Sequence, residues 1–129
     1  MVDMSATLIH HGHVRLLRAA KEHGNVIVAL TTDEEILSQK GFEPELDFAS
    51  RREVLEAIKF VDEVVPSPWL IDDSFLDQYR IDLLVHGSDN SNLVSKDRLL
   101  VLPRTNGVSS SQLRGRVLKA ISNLYLNKE

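Results

Sequence analysis

The sequence contains no cysteine, and that absence removes disulfides, thiolate metal sites and a cysteine nucleophile together. No apolar run approaches the ~20 residues that a membrane-spanning helix needs. The chain opens on Met1-Val2-Asp3 rather than on a basic-then-apolar stretch, so the default expectation is a cytoplasmic location with no membrane partner. Positive charge is not in excess either: 15 Lys and Arg stand against 19 Asp and Glu, a formal charge of −4 at pH 7. A nucleic-acid binder normally shows a basic stripe, so no nucleic-acid partner is expected. A polyanionic ligand has to be held by a local concentration of cations. Neither a Gly-x-Ser-x-Gly elbow nor a GxxxxGK(S/T) loop occurs, which supports neither acyl-enzyme chemistry nor a P-loop kinase.

What is present is an ordinary globular composition, 43% hydrophobic and 26% charged over 129 residues. That length makes one domain, 1–129, with a real core. Few residues precede the first polar motif, short measure for a central strand of ~5–6 residues, which raises the expectation of a domain excised from a longer chain.

Strands and helices alternate along the sequence. Val2 to Ala6 reads as a first strand, and Val14 to Ala20 as a helix ending near His23-Gly24. Val26 to Leu30 is a continuous apolar run of the kind buried on both faces of a parallel sheet. A short helix follows from Thr32 to about Ser38, then a glycine- and proline-bearing loop from Gln39 to Asp47. Phe48 to Phe60 has a helical pattern with Val54, Leu55, Ile58 and Phe60 on an inner stripe. A third strand is expected from Val61 to Val65, stopped by Pro66-Ser67-Pro68. Asp72 to Tyr79 reads as a helix, Ile81 to Val85 as a fourth strand and Leu99 to Leu102 as a fifth. A last helix runs from Ser110 to about Leu124, with Leu113, Val117, Leu118 and Ile121 inward. Such alternation predicts an open α/β sheet. Ligands then bind beyond the C-terminal strand ends, where the polar clusters of this sequence fall.

Two of those clusters carry chemistry. In Leu8-Ile9-His10-His11-Gly12-His13 the i, i+3 spacing puts His10 and His13 on one side of a first helical turn. Gly12 lets a ligand approach the backbone, and the helix start itself favours an anion, so the expected ligand is a phosphate. A metal cluster and a purely structural histidine pair are the other readings of these residues. The second cluster is Arg104-Thr105-Asn106-Gly107-Val108-Ser109-Ser110-Ser111 at the start of the last helix. A triphosphate is long enough to reach both. In-line displacement at its α-phosphorus needs positioning and charge stabilisation more than a protein nucleophile, and a phosphate or phosphonate acceptor, already ionised, demands no general base.

In this order and at this separation the two stretches resemble the HxGH and RTxGxSS(S/T) signatures of the cytidylyltransferase-like nucleotidyltransferases. The resemblance covers nearly the whole chain and implies a single Rossmann-like α/β nucleotidyltransferase domain, a five-stranded parallel sheet flanked by helices. It implies that His10 and His13 contact the α-phosphate and stabilise its transition state. Arg104, with Ser109 and Ser110, would hold the outgoing β- and γ-phosphates together with Mg2+, an ion bound mainly by the nucleotide rather than by a protein metal site. Ser5, Ala6, Gly12, Gly87, Thr105, Gly107 and Val108 would line the nucleotide, and Lys40 would cover its phosphates. Arg51 falls where many members carry a helix-start arginine; a solvated helix charge is the other reading.

The loop wording is more like that of CTP users than of the adenylyl-transferring heptose branch. The implied substrates are CTP and a small acceptor, glycerol 3-phosphate, phosphoethanolamine or a phosphonate such as 2-aminoethylphosphonate or hydroxyethylphosphonate. Adenylyl transfer and a nucleotide-binding module without catalysis are the alternatives. Thr7 stands where the family usually has aspartate, and Gly87-Ser88-Asp89 where many members read Gly-Asp-Asp. Thr7, Asp33 and Asp89 are the candidate acceptor-facing residues. A homodimer is the family's usual state, and the apolar residues from Val64 to Leu70 are the candidate contact.

Overall fold

An uninterrupted apolar run such as Val26 to Leu30 is stable only where both faces of its strand are covered. In the computed structural model, which describes residues 1–127, most of that run lies in β2 (Ile27–Thr31), flanked by β1 (Val2–Met4) and β3 (Glu63–Ser67). With β4 (Leu84–Gly87) and β5 (Leu99–Leu102) these form a five-stranded, all-parallel sheet of order β3-β2-β1-β4-β5. Alternate residues feed two cores. Val28, Leu30 and Val64 pack with Leu17 and Ala20 of α1 (His11–Lys21) and Leu55 of α3 (Phe48–Glu56). Ala29 and Val65 pack on the other face with Leu76 of α4 (Asp73–Gln78), Ile71 and Ile81. The expected α/β architecture is therefore the observed one.

The order matters for function. From β1 the sheet grows one way to β3, and from β4 the other way to β5, so the C-terminal ends of β1 and β4 border the crevice where open α/β sheets bind ligands. α2 (Asp33–Lys40) and α5 (Ser110–Leu126) flank the same end.

Several sequence-based boundaries shift for identifiable reasons. β1 stops at Met4 rather than Ala6, because Ala6 takes a left-handed φ of 46°, a conformation that ends an extended strand. β3 runs through Pro66 to Ser67; it is an edge strand, where a missing N–H is tolerated. β4 begins at Leu84 and takes in His86 and Gly87 through pairing with Val101 and Leu102. α3 ends at Glu56, and Val54 is exposed. The buried stripe of α3 instead contains Arg51 and Leu55, four residues apart, so a charged residue occupies what a hydrophobic pattern assigns to solvent.

Two expected faces are also corrected. Val117, Leu118 and Ile121 of α5 are exposed, and α5 buries no residue. Val64 and Val65 are buried in the sheet, which leaves Leu70 as the exposed large hydrophobic residue of the expected 64–70 patch. Exposed large hydrophobic residues recur along α5, at Val117, Leu118, Ile121, Leu124, Tyr125 and Leu126.

Candidate active site

A cleft of about 760 Å³ opens at the C-terminal ends of β1 and β4, within the usual size for small-ligand sites. One wall is the start of α1. His10 is the N-cap; its Nδ1 accepts the Gly12 amide at 3.0 Å, and the Nδ1 of His13 accepts the His10 amide at 3.1 Å. This reciprocal pattern is a capping box made of two imidazoles. With both Nδ1 lone pairs engaged, each neutral ring carries its proton on Nε2. Burial, followed by the neighbouring charges of His11 and Arg104, lowers the pKa of His10. Burial, His10 and Arg104 push that of His13 down to about 4. The rings, 4.0 Å apart by centroid, are thus neutral N–H donors near pH 7 rather than cations.

Gly12 serves this arrangement in a way the sequence did not suggest. A Cβ there would lie 2.8 Å from His10 Cε1 and 2.9 Å from its Nδ1. The glycine makes room for the His10 ring to fold over its own helix start.

The facing wall is the start of α5. Ser109 caps it, its Oγ accepting the Gln112 amide at 3.1 Å. Ser110 Oγ accepts the Leu8 amide at 3.2 Å and donates to the Leu8 carbonyl at 2.9 Å, which ties the two helix starts together. Val108 is buried, its Cγ1 3.4 Å from the position a Gly12 Cβ would take. Arg104 reaches Asp89 Oδ2 at 3.1 Å with half its side chain exposed. Gly87 lies beneath them, close enough that a Cβ would stand 3.2 Å from Asp89 Oδ1 and 3.4 Å from Arg104 Cγ.

Of the sequence-based candidates, Ser5, Ala6, Thr7, His10, Gly12, His13, Lys40, Gly87, Asp89, Arg104, Thr105, Val108, Ser109 and Ser110 line this one cleft. Gly107 and Asp33 do not. Gly107 forms the turn behind the wall, at φ 79°, where glycine is the low-strain residue. Asp33 is turned inward: Oδ1 pairs with Arg51 Nη2 at 2.5 Å and Oδ2 accepts the Phe48 amide at 3.0 Å. Arg51 is fully buried, and its Nη1 also donates to the carbonyls of Ser5 at 2.7 Å and Thr31 at 2.9 Å, its Nε to Leu46 at 3.1 Å. This arginine props the loop leading to the histidines and is no solvated charge. Thr7 is buried as well, and its hydroxyl is bound by Arg114 Nη2 at 2.6 Å.

Sequence reasoning missed the floor of the cleft. Asp3, His86 and Asn92 line it: Asp3 Oδ1 meets His86 Nδ1 at 2.5 Å, and Asp3 Oδ2 accepts from Asn92 Nδ2 at 2.9 Å. Burial works against charge on His86, but the hydrogen bond and charge of Asp3, with Asp89, outweigh it and raise its pKa. The floor therefore offers a group more cationic than an ordinary imidazole. Asp3 sits mid-strand and Asn92 in an irregular loop, so no local spacing links them. Arg15, Trp69 and Leu70 also reach the cleft. Among the described residues, no three His, Asp or Glu converge as a metal-ligand set, and no helix is long and apolar enough to cross a membrane.

Comparison with known proteins gives a consistent result. Residues 5–116 match the family model described as cytidylyltransferase-like. The chain is 34% identical over 129 residues to an ethanolamine-phosphate cytidylyltransferase of Dictyostelium discoideum, covering 91% of this chain and 36% of that protein. It is 35% identical over 115 residues to a glycerol-3-phosphate cytidylyltransferase of Staphylococcus aureus, covering 83% of this chain and 85% of that one. The chain thus spans about a third of the length of the ethanolamine-phosphate enzymes it matches. A lipopolysaccharide core biosynthesis protein from Thermoplasma volcanium superposes with a TM-score of 0.68 at 16% identity, over 82% of this chain and 96% of that one, a likeness of fold.

Proposed function

The chain belongs to the cytidylyltransferase-like family, and on that premise we propose that it transfers CMP from CTP to a small phosphate- or phosphonate-bearing acceptor and releases pyrophosphate. The observation that carries the proposal is the imidazole capping box of His10 and His13 facing Arg104 across one cleft. An ionised acceptor oxygen attacks the α-phosphorus in line. One P–O bond forms as the bond to the β-phosphate breaks, and the electron pair leaves with pyrophosphate. The Nε2–H groups of His10 and His13 donate to the α-phosphate oxygens as charge builds there, preorganised by their own capping bonds. Arg104 leaves Asp89 for the β- and γ-phosphates, with Ser109 and the free amides of α5 beside it. Lys40 approaches from the opposite rim.

The cleft carboxylates Asp3 and Asp89 are both engaged with cations or donors, which fits an Mg2+ carried by the triphosphate. Such an ion supplies neutralisation of the leaving phosphates. On the floor, His86 held by Asp3 is a cationic partner for the acceptor's own phosphate or phosphonate, and Asp89 is within reach of an acceptor amine or hydroxyl. The relatives named for ethanolamine phosphate and glycerol 3-phosphate support an acceptor of that class, with the phosphonates as isosteres. The reading also includes a cytoplasmic location and a homodimer. The exposed Val117, Ile121 and Leu124 of α5 are the apolar face a second copy would cover, and light scattering showing a monomer at micromolar concentration removes that part.

The test is pyrophosphate release with Mg2+, crossing CTP, ATP, UTP and GTP with glycerol 3-phosphate, phosphoethanolamine, phosphocholine, 2-aminoethylphosphonate and hydroxyethylphosphonate. Release confined to CTP with one acceptor supports the proposal. Release with ATP instead, or CTP binding without turnover across all acceptors, overturns it.

A further inference from the structure

Arg114 of α5 holds two separate segments, the loop at Thr7 and the stretch 41–47. Its Nε and Nη2 engage both carboxylate oxygens of Glu45, the Nη2–Oε2 contact being 3.0 Å. The same Nη2 donates to Thr7 Oγ1 at 2.6 Å, and the guanidinium lies 4.7 Å from the Phe42 ring centroid. Phe42 and Glu45 belong to the irregular stretch 41–47 between α2 and α3. The stretch is anchored at one end by the Gly41 amide on the Leu37 carbonyl and at the other by the Leu46 carbonyl on Arg51. Between those anchors, Phe42 and Glu45 are both held by Arg114. Lys40, the residue just before the stretch, enters the cleft with Nζ 5.7 Å from the Trp69 ring centroid. Arg114 itself is not part of the cleft wall.

We propose that Arg114, clamped to Glu45, is a positioning residue for the nucleotide: it holds 41–47 against α5 so that Lys40 stands over the triphosphate and covers Trp69. The inference rests on the reading of the cleft as a CTP site. Two physical effects make the clamp matter. A bidentate guanidinium–carboxylate pair stacked on an aromatic ring restrains the stretch in one orientation. It also keeps Glu45 occupied. Burial and the Arg114 charge lower the pKa of Lys40 while Glu45 raises it, so once Arg114 is gone Glu45 is left as an uncompensated attractive charge that would draw Lys40 away from the cleft. A captured Lys40 no longer serves the phosphates. The clamp therefore sets the fraction of molecules competent to bind nucleotide, while the α-phosphate chemistry stays with His10 and His13.

Trp69 is the single tryptophan of the sequence and reports the clamp directly. The full chain is compared with Arg114→Ala, Arg114→Lys, Glu45→Gln and the charge swap Glu45→Arg with Arg114→Glu. Acrylamide quenching of Trp69 without ligand should rise in Arg114→Ala and Glu45→Gln and return toward the original value in the swap. Calorimetry should show Mg-CTP binding weakened about three- to fivefold in Arg114→Ala, the scale of a well-formed surface ion pair, and less in Glu45→Gln, which has no carboxylate to draw Lys40 away. The value of kcat at saturating CTP should fall less than the affinity does. Arg114→Lys, with one contact in place of two, should lie between. Unchanged quenching in both single variants overturns the clamp, as does a rise in quenching in Arg114→Ala that Glu45→Gln lacks. Should the unaltered protein bind no CTP, the proposed function fails, and the quenching comparison alone still decides whether the clamp exists.

Discussion

Ser110 Oγ bridges the backbone of Leu8, accepting its amide at 3.2 Å and donating to its carbonyl at 2.9 Å across 102 positions of sequence. Through this one hydroxyl the loop that presents the histidines is fastened to the start of the helix that follows the loop of Arg104 and Ser109. The two helix starts that face each other across the cleft thereby keep a fixed separation, as the proposed triphosphate site would require.

Ser110→Ala removes both bonds and leaves the Leu8 groups without this partner. Stability should fall by about 1–2 kcal/mol, and kcat/KM with CTP by about tenfold. Ser110→Thr, which keeps the hydroxyl, should recover most of both. Urea denaturation and steady-state kinetics on the two variants make the check.

Gly12→Ala separates folding from catalysis. The helix gains roughly 0.5–1 kcal/mol of intrinsic propensity, yet the new Cβ meets the His10 ring at 2.8 Å and forces it off the capping position. Turnover should drop about a hundredfold, the scale of losing one preorganised donor, while the melting temperature changes little. Unaltered turnover in a folded Gly12→Ala would mean that the position of the His10 ring is not needed.

Arg51→Ala should destabilise the fold by about 3–5 kcal/mol, because it leaves Asp33 without its charge partner and three carbonyls without a donor. Arg51→Lys should recover little, since one ammonium cannot reach the same set. Chemical denaturation measures both, and a loss under 1 kcal/mol for Arg51→Ala would show that the buried guanidinium is no prop.

The histidines give opposite pH dependences. His13, with a folded pKa of about 4 against 6.5 for the free imidazole, binds fewer protons when folded. Its effect on stability is absent above pH 6.5 and becomes a loss as pH falls toward 4, about 2 kcal/mol between pH 7.5 and 5. His86, with its pKa raised, contributes stability that is complete below the ordinary imidazole value and disappears as pH rises through its folded pKa. His13→Asn should flatten the acid side of the stability profile, and His86→Gln should remove stability at pH 6 more than at pH 9. Denaturation of each across pH 5 to 9 distinguishes them.

Much of this molecule follows from local pattern. The apolar run of β2 needs cover on both faces, which predicts a parallel sheet between helices. The histidines at i, i+3 ahead of an amphipathic run mark a helix start, where the structure places them as a capping pair. Such features depend on residues within a few positions of one another, so periodicity and capping chemistry reveal them. Other features depend on where distant segments meet. Arg51 is buried because four acceptors from three parts of the chain, Ser5, Thr31 with Asp33, and Leu46, converge on it, which no hydrophobic pattern records. The long apolar stripe of α5 reads as a core face, yet that helix lies outside the sheet's two cores and leaves the stripe in solvent. Asp3, His86 and Asn92 become one group only because β1 and β4, 80 or more residues apart in sequence, are neighbours in the sheet. The sequence alone determined which elements form and which polar clusters stand at the helix starts. Tertiary structure decided which polar side chains face the cleft and which hold it in shape, because a side chain's role depends on the partners that folding brings within about 3 Å of it.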